Sequence, residues 1–326
     1  MKNKIIYAAL AAALFTFGTP LAAQEDAVAE SSAALPFTAI QRDPVSAAMG
    51  GTLLGSAASG AASAWSSFSN PAALPYSQER FSVGLAYQLW QPSSSNNLCL
   101  GAGVNIKDKF GVSAGLALGL NPGIASVDDA GNEGKLFKPT DLQANIGFSY
   151  RFVSFLSLGV NARYAMSVLS PEYRLSALLF DASLMASLGD FQLTAGVSNL
   201  GTRASYGKSS GLSVSYPVPS SLDLALSWSR VFGEDHKLDH KLALASDGRW
   251  YFSGFGIAAS AGASYCWRDM LSFRAGYHYG ARMDADYASL GAGVKFYGVA
   301  LDFTILLSGS SNPVANTIAV GASYSF

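Results

Sequence analysis

The feature that most constrains the fold is a period-two alternation of apolar and polar residues, which runs from residue 81 to the end of the chain. In residues 142–152, every second residue from Leu142 onward is apolar, and the residues between them are Gln143, Asn145, Gly147, Ser149 and Arg151. Alternate side chains of a β-strand project to opposite faces, so such a segment has one apolar face and one polar or small-residue face. The alternation therefore predicts strands that separate two different environments.

About fourteen segments show this pattern, each close to the roughly 9–11 residues that a tilted membrane strand requires. A soluble β-sandwich also hides one apolar face, but its outer face carries many Lys and Glu residues. Only 13% of this chain is charged, against roughly 25% in a typical soluble domain, and its second face is built from Gly, Ser, Ala and Asn. We therefore predict an all-β fold, a transmembrane outer-membrane β-barrel of about 14 antiparallel strands in residues 80–326. The segments begin near Phe81, Leu98, Phe110, Leu142, Leu156, Leu178, Phe191, Leu222, Leu242, Ile257, Leu271, Tyr287, Val299 and Thr317.

The connections between segments alternate in length, as in outer-membrane barrels. Turns after most even-numbered segments are tight, whereas loops after odd-numbered segments, such as residues 121–139 and 201–219, are longer. The even turn at residues 232–239 is longer than this rule predicts. The chain ends on Tyr324 and Phe326, an aromatic end that looks like the insertion signal read by the barrel assembly machinery. The predicted surroundings of the wall are membrane lipid and lipopolysaccharide.

Residues 1–23 are predicted to be a signal peptide for export through the Sec pathway to the bacterial outer membrane. Lys2 and Lys4 give a positive n-region, residues 5–17 form an uncharged apolar h-region, and residues 21–23 offer small residues for cleavage. The alternative is a transmembrane anchor. We disfavour it because the apolar run is shorter than the roughly 20 residues of a helical span, and Gly18 and Pro20 end it.

The segment before the barrel, residues 24–79, is predicted to be an N-terminal extension that ends in a lumen hatch. Residues 44–78 contain no charged residue and are dominated by Ala, Ser and Gly. In water such a segment would behave as a flexible linker, but small side chains allow close packing inside a barrel whose lumen would otherwise be a channel. The predicted anchors are Met49, Leu53, Leu54, Trp65 and Phe68.

Charged residues within the segments fall almost only on the polar face, so they are predicted to point into the lumen. Unpaired charge in a confined space is costly, and we expect these groups to pair with one another and with the hatch backbone. An anion-guiding path is the alternative, and it would need a surplus of positive charge along one track. The predicted lumen network contains Arg151, Arg163, Asp181, Asp223, Asp247, Arg274, Lys295 and Asp302, with Arg249 among them.

Several clusters could in principle carry chemistry, and a structural interpretation is favoured for each. Residues 234–240 hold two His and three carboxylates, enough for a metal site, but Lys237 lies among them and a solvated turn explains them. Residues 128–133 could bind calcium or form a plain solvated loop. His278 could pair with a Ser, yet no Gly-x-Ser-x-Gly elbow lies on a strand–turn–helix. Cys99 and Cys266 lie on distant strands, and a disulfide needs Cα atoms within about 7 Å. We predict no cofactor, no metal, no enzyme activity and, at a net charge of -1, no nucleic-acid partner.

Short motifs in the chain resemble a known family. Residues 48–51 (Ala-Met-Gly-Gly) and 69–74 (Ser-Asn-Pro-Ala-Ala-Leu) resemble the N-terminal signature of the FadL-like barrel superfamily, within which the PorV/PorQ branch of the type IX secretion system is the closer match. Residues 158–164, 197–201, 262–267 and 273–277 extend the resemblance. The resemblance implies a hatch motif composed of Met49, Gly50, Gly51, Asn70, Pro71 and Ala72.

Two classes of function follow from the fold and the resemblance. The first is a protein-handling barrel of the type IX secretion system, with secreted cargo proteins or secretion subunits as partners. The alternative is a FadL-like channel for uptake of hydrophobic small molecules through a lumen gated by the hatch. A purely structural barrel is a third, weaker interpretation. The Gly- and Ser-rich inner face shows no apolar track, which favours secretion.

Overall fold

A computed structural model describes residues 33–54, 63–127, 133–170, 173–206, 215–233, 240–252, 256–280, 285–310 and 312–326. All of the described residues belong to one compact unit. The predicted signal peptide, residues 1–23, lies outside the described residues. Within these ranges, no helix has the length and apolar character needed to span a membrane.

Most of the described chain is β-strand, because the alternating segments form strands where the alternation predicts them. Fourteen of the strands form a closed antiparallel barrel within the described residues. The barrel strands are β1 (Phe81–Trp90), β2 (Ser95–Ile106), β3 (Phe110–Leu120), β6 (Thr140–Val153), β7 (Leu156–Val168), β8 (Arg174–Leu188), β9 (Phe191–Gly201), β12 (Ser221–Phe232), β13 (His240–Tyr251), β14 (Gly256–Trp267), β15 (Leu271–Tyr279), β16 (Tyr287–Phe296), β17 (Val299–Leu307) and β18 (Thr317–Ser325).

Each barrel strand pairs with its neighbours in the chain, and the first strand closes on the last. β1 pairs with β18 from Ser82 opposite Ser325 to Leu89 opposite Ile318. Short strands β4 (Ile124–Val127) and β5 (Glu133–Phe137) form a separate hairpin in the loop between β3 and β6, and β10 (Ala204–Tyr206) and β11 (Ser215–Tyr216) extend the sheet beyond β8. The predicted fold class is confirmed.

The two faces of the wall differ as the alternation predicts. Phe148 is 48% exposed, whereas its neighbour Ser149 is 1% exposed. Val160 is likewise exposed while Asn161 is buried. The outward face therefore carries large apolar side chains toward lipid, and the inward face carries polar and small ones.

The N-terminal residues 33–54 and 63–79, hereafter the hatch, lie inside the barrel. They form 3₁₀ turns at Pro36–Ala39, Ser63–Trp65 and Pro71–Tyr76 and one short helix, α1 (Pro44–Ala48). Every residue of α1 is buried. The core of the molecule therefore lies where the hatch packs against the inner face of the wall.

Candidate functional site

The first half of the hatch begins at a capped helix. Asp43 precedes α1, and its carboxylate accepts hydrogen bonds from the backbone N–H groups of Val45 (2.9 Å) and Ser46 (3.2 Å). Pro44 occupies the first helical position, where a missing N–H costs nothing. Burial raises the pKa of Asp43 to about 6, although its hydrogen bonds act in the opposite direction. The cap is therefore a buried carboxyl group that binds a proton more tightly than an exposed aspartate does.

Gly50 and Gly51 allow the chain to turn sharply after α1. Their φ angles are 74° and 76°, in the left-handed region that favours glycine. A Cβ atom at Gly50 would lie 2.5 Å from the carbonyl oxygen of Tyr277, so the close approach to the wall also requires glycine. The N–H of Gly51 donates to the carbonyl of Ser46 (2.9 Å), and the N–H of Gly50 donates to Ser289 Oγ (2.9 Å).

Asn70 joins the second half of the hatch to two wall strands, β8 and β9. It is fully buried, and its Oδ1 accepts from the N–H of Ala72 (3.1 Å) and from Ser183 Oγ on β8 (2.9 Å). Its Nδ2 donates to Thr194 Oγ1 on β9 (3.4 Å). On β7, Ser157 Oγ donates to the carbonyl of Ala72 (2.6 Å). Asn70 therefore caps the 3₁₀ turn that begins at Pro71 and also fixes it to the wall.

Inward-facing glycines of the wall make room for the hatch. A Cβ atom at Gly84 would lie 2.7 Å from the indole of Trp65, and one at Gly115 would overlap the ring of Phe68. At Gly262 and Gly276, an added Cβ atom would likewise overlap the backbone of residues 49 and 50. These contacts explain why the inner face is rich in glycine.

Wall side chains also satisfy the hatch backbone. Carbonyl groups of the hatch accept hydrogen bonds from donors on several strands, which replace the partners that a strand or long helix would supply. The donors and their acceptors are Asn145 Nδ2 to Ser67 (3.0 Å), Asn161 Nδ2 to Ser67 (2.9 Å), Thr304 Oγ1 to Pro44 (2.7 Å), Gln88 Nε2 to Gln41 (2.6 Å) and Arg163 Nη1 to Thr38 (3.1 Å).

The structure brings the charged residues of the lumen into local pairs. Three arginine–carboxylate pairs are buried or nearly so, and they are Arg163–Asp181 (2.7 Å), Arg249–Asp223 (2.6 Å) and Arg274–Asp302 (2.6 Å). Lys295 lies 3.3 Å from Glu79 and 3.1 Å from Asp269. Asp247 accepts from the N–H of Leu54 (2.9 Å), and the Arg151 guanidinium lies 5.1 Å from the ring centre of Tyr76. Among the described residues, this arrangement offers no surplus of positive charge along one track.

Asp181 lies at an irregularity in the wall. The pairing of β8 with β9 shifts register between Phe180 and Ala182, and Asn199 has a positive φ of 56° opposite this point. The carboxylate of Asp181 accepts from the N–H of Asn199 (2.7 Å) and from Asn161 Nδ2 (2.8 Å) in addition to Arg163. A buried polar cluster thus links β7, β8 and β9 at the β-bulge.

The hatch separates two cavities. One, of about 660 Å³, lies at the long-loop end and is lined by residues of the hatch, of the wall and of the loops. The other, of about 490 Å³, lies at the short-turn end, and its lining includes the Arg274–Asp302 pair and Lys295. Leu35, Phe37 and Ile40 give the first cavity an apolar side that strand alternation does not reveal, because they belong to the hatch. The sequence interpretation missed this surface.

Arg42 is a second feature that sequence reasoning missed. Its guanidinium is buried, and it donates to Asn97 Oδ1 (3.0 Å) and to the carbonyl of Phe37 (2.8 Å). Burial lowers the pKa of Arg42 from its usual value. The signal in the sequence was a charged pair, Arg42 and Asp43, which lies directly before the uncharged residues 44–78.

Ser260 and His278 come together on the inner face, with Oγ 2.8 Å from Nδ1. The strand register places Asp247 beside Ser260 and Ser260 beside His278. The serine therefore lies between the acid and the histidine, whereas a catalytic triad requires the histidine in the middle. His278 also stacks on Tyr287, with ring centres 4.9 Å apart.

The remaining candidates do not assemble a site among the described residues. No three His, Cys, Asp or Glu side chains converge as a metal cluster in that part of the chain. Most of the candidate turn at residues 234–240 and of the loop at residues 128–133 lies outside the described residues. Cys99 and Cys266 are both free thiols.

The closed barrel with a filled lumen defines the class of this protein as an outer-membrane barrel. A family model described as type IX secretion system protein PorV matches residues 22–208, more than half of the chain. The chain therefore belongs to the PorV family, and it is a protein of the outer membrane. This family and the barrels that share its fold are transport proteins rather than enzymes. No curated protein matches the sequence.

Two solved transport barrels share this fold at low sequence identity. The Pseudomonas putida toluene transporter TodX is 15% identical with a TM-score of 0.58, and the match covers 87% of this chain and 98% of TodX. The Ralstonia pickettii toluene transporter TbuX is 14% identical with a TM-score of 0.55, covering 86% of this chain and 97% of TbuX. At these identities the likeness concerns the fold alone.

Proposed function

We propose that this barrel handles exported proteins or partner subunits of the type IX secretion system at the cell surface. Membership of the PorV family carries this proposal. The filled lumen agrees with it, because a barrel that binds proteins through its loops needs no open pore. Its partners would be secreted cargo proteins or secretion subunits, and it would need no catalytic residue.

The long-loop end presents apolar side chains that suit protein contacts. Ile124 and Leu136, on the β4–β5 hairpin, are 62% and 66% exposed. Beside β8, Tyr173, Tyr206 and Tyr216 contact one another edge to face, with ring centres 6.0 Å and 6.2 Å apart. Exposed apolar and aromatic groups outside the membrane wall mark protein-binding surfaces.

The proposal includes roles for the sequence motifs. After removal of residues 1–23, the segment of residues 24–79 plugs the barrel of residues 80–326, and the hatch motif from Met49 to Ala72 holds it there. The lumen charges stabilise the plug as local pairs. Tyr324 and Phe326 serve as the signal for the barrel assembly machinery.

A FadL-like channel for hydrophobic molecules is the second candidate. The observation that favours it is the cavity of about 660 Å³ with its apolar hatch side. The structural neighbours TodX and TbuX are toluene transporters. Such a role would require the hatch to move, since it separates this cavity from the one at the short-turn end.

The two candidates can be separated by purification of the tagged barrel from native outer membrane. We expect exported proteins or type IX secretion subunits to co-purify with the wild type and to be lost from an Ile124→Ser/Leu136→Ser variant. A Tyr297→Ser variant is the matched control, because Tyr297 is 87% exposed but lies at the short-turn end. Equal recovery from all three barrels, or no such protein with the wild type, would contradict the proposal.

A further inference from the structure

The short-turn end of the barrel carries three exposed cations close to the hairpin of β2 and β3. They are Arg80, Lys107 and Lys109, hereafter the basic patch. The N–H of Asn105 donates to the carbonyl of Arg80 (2.8 Å), which places Arg80 beside the start of the turn that holds the two lysines. Within the described ranges, none of the three side chains forms an ion pair. The basic patch therefore presents its charge to the surroundings of the barrel.

Two carboxylates lie close to the basic patch in the chain, and both are engaged by other groups. Asp108 Oδ1 accepts from Asn105 Nδ2 (2.9 Å), and Asn105 is a buried side chain of the inner face. Glu79 accepts from Ser77 Oγ (3.3 Å) and lies 3.3 Å from Lys295 Nζ. These acids are turned toward the lumen side of the wall, so the basic patch keeps an excess of positive charge.

The turn between β2 and β3 has a backbone conformation that favours Gly or Asn, yet it holds Lys107 and Asp108. Their φ angles are 54° and 53°, in the left-handed region that few side chains adopt without strain. The turn between β14 and β15 repeats the pattern, with Arg268 and Asp269 at φ angles of 54° and 53°. In both turns a cation occupies a strained position where Gly or Asn would fit better. This pattern indicates that the positive charge itself is useful at this end of the barrel.

The basic patch adjoins an aromatic surface on the lipid side of the wall. The ring centre of Phe110 lies 5.0 Å from that of Tyr150 and 6.3 Å from that of Phe148. Phe110 and Phe148 are exposed on the outward face. Lys109 Nζ lies 5.6 Å from the ring centre of Tyr150, so this ammonium group is held at the edge of the aromatic surface. Aromatic rings with cations beside them mark the level of the lipid head groups, and this arrangement suits a ligand with an anionic head and acyl chains.

The position of the basic patch selects among the anions of the outer membrane. Short turns of such barrels face the periplasm, where the inner leaflet consists of phospholipid, whereas lipopolysaccharide lies in the other leaflet at the long-loop end. A soluble anion would pair with the cations but would make no use of the aromatic surface beside them. A zwitterionic lipid carries an ammonium group of its own, which the basic patch repels. An anionic phospholipid meets all of these conditions.

We propose that the basic patch and the aromatic surface beside it bind an anionic phospholipid of the periplasmic leaflet, such as phosphatidylglycerol. The lipid phosphate pairs with Lys107 and Lys109, and Arg80 adds to the positive potential around it. An acyl chain packs along Phe110 and Phe148. The bound lipid holds this part of the short-turn end at the depth of the head groups. This binding is a property of the isolated barrel and does not depend on the proposed role in secretion.

The test is titration of the purified full barrel with dioleoylphosphatidylglycerol and dioleoylphosphatidylethanolamine, followed by native mass spectrometry. The two lipids have the same acyl chains, so only the head group differs. We expect phosphatidylglycerol to bind at least about fivefold more tightly, which corresponds to the attraction of one cation near an anionic membrane surface. Glycerol 3-phosphate, which has the phosphate but no acyl chain, is the third probe and should bind much more weakly than either lipid.

Lys107→Asn/Lys109→Gln is the diagnostic variant. Asn adopts the left-handed conformation more readily than Lys does, so the turn is retained while both charges are removed. The affinity for phosphatidylglycerol should fall by about fivefold for each charge, and the affinity for phosphatidylethanolamine should not fall. Lys107→Arg/Lys109→Arg keeps both charges and should bind as the wild type does. Lys241→Gln is the matched control, because it removes a cation that lines the short-turn cavity inside the barrel, and it should leave both affinities unchanged.

Four outcomes would overturn the proposal. Equal affinities of the wild type for the two lipids would show that the site does not select an anionic head group. An unchanged preference in Lys107→Asn/Lys109→Gln would show that the basic patch is not the site, and an equal loss in Lys241→Gln would show that only the total charge matters. Binding of glycerol 3-phosphate as tight as that of phosphatidylglycerol would identify a free phosphate as the ligand. Loss of secretion partners from the Ile124→Ser/Leu136→Ser variant would leave these results unaffected.

Discussion

The barrel wall and the hatch satisfy their backbone polar groups in different ways. In the wall, each strand pairs with both neighbours through a backbone ladder, from β1 around to β18. In the hatch, carbonyl groups such as those of Ser67 and Ala72 depend on side-chain donors of the wall. The backbone hydrogen bonds of a sheet persist when a side chain is substituted, whereas a hydrogen bond donated by a single side chain is lost. The hatch can therefore be loosened without unfolding the wall, and substitutions should affect the two regions through different assays.

The largest effect is expected for a charge on the lipid face of the wall. Phe148→Arg places a cation toward lipid, where it costs about 2–4 kcal/mol near the bilayer midplane, so we expect most of the protein to fail to insert. Ser149→Arg, one residue away on the inner face, should insert but crowd the hatch. Heat-modifiability on gels measures insertion. Equal loss for both variants would contradict the assignment of the two faces.

The next effect concerns the space that wall glycines leave for the hatch. Gly276→Ala puts a methyl group against the backbone of Gly50, and overpacking of this kind costs about 1–3 kcal/mol. We expect a barrel that inserts normally but conducts ions in a planar bilayer, where the wild type is nearly silent. Gly248→Ala is the control, because nothing lies within 4 Å of the added atom. Steady conductance of the wild-type barrel would contradict the interpretation that the hatch plugs the lumen.

A third prediction asks whether Asn70 acts through hydrogen bonds or through shape. Asn70→Leu leaves Ser183 and Thr194 unpaired inside the protein, at about 1–3 kcal/mol for each group. The triple variant Asn70→Leu/Ser183→Ala/Thr194→Val removes both partners and should recover about 1–2 kcal/mol of hatch stability. Conductance measures the outcome. If the triple variant conducts more than Asn70→Leu, the hydrogen bonds are not the source of the effect.

The smallest effect is the pH dependence of the hatch. The pKa of Asp43 is raised to about 6 by burial, so the folded hatch binds a proton more tightly than the released hatch does. Its stability is therefore greatest below about pH 4 and falls as the pH rises toward 6, by about 1 kcal/mol between about pH 5 and pH 6. The urea midpoint of hatch release, followed by Trp65 emission against a Trp65→Phe barrel, measures this change. Asp43→Asn should flatten the pH dependence, and an unchanged slope in that variant would assign the titration to another group.

The wall of this protein could be predicted from its sequence alone. Period-two alternation is a local property, and each strand must have an apolar face for lipid and a small or polar face for the lumen, so strand positions, facing and barrel class could be predicted residue by residue. The motif from Ala48 to Gly51 and the Asn70–Pro71 pair were visible in the same way, as a resemblance to a family.

How the hatch is held and which cavities remain in the lumen depend on contacts that form only in the folded barrel. The pairing of Asn70 with Ser183 and Thr194, and the fit of Gly276 against Gly50, join residues more than 100 positions apart. The apolar side of the long-loop cavity comes from hatch residues that follow no strand alternation. The hatch follows no repeating pattern of apolar residues, and its hydrogen-bond partners lie on strands that become neighbours only when the barrel closes. Its contacts could therefore not be predicted from the sequence.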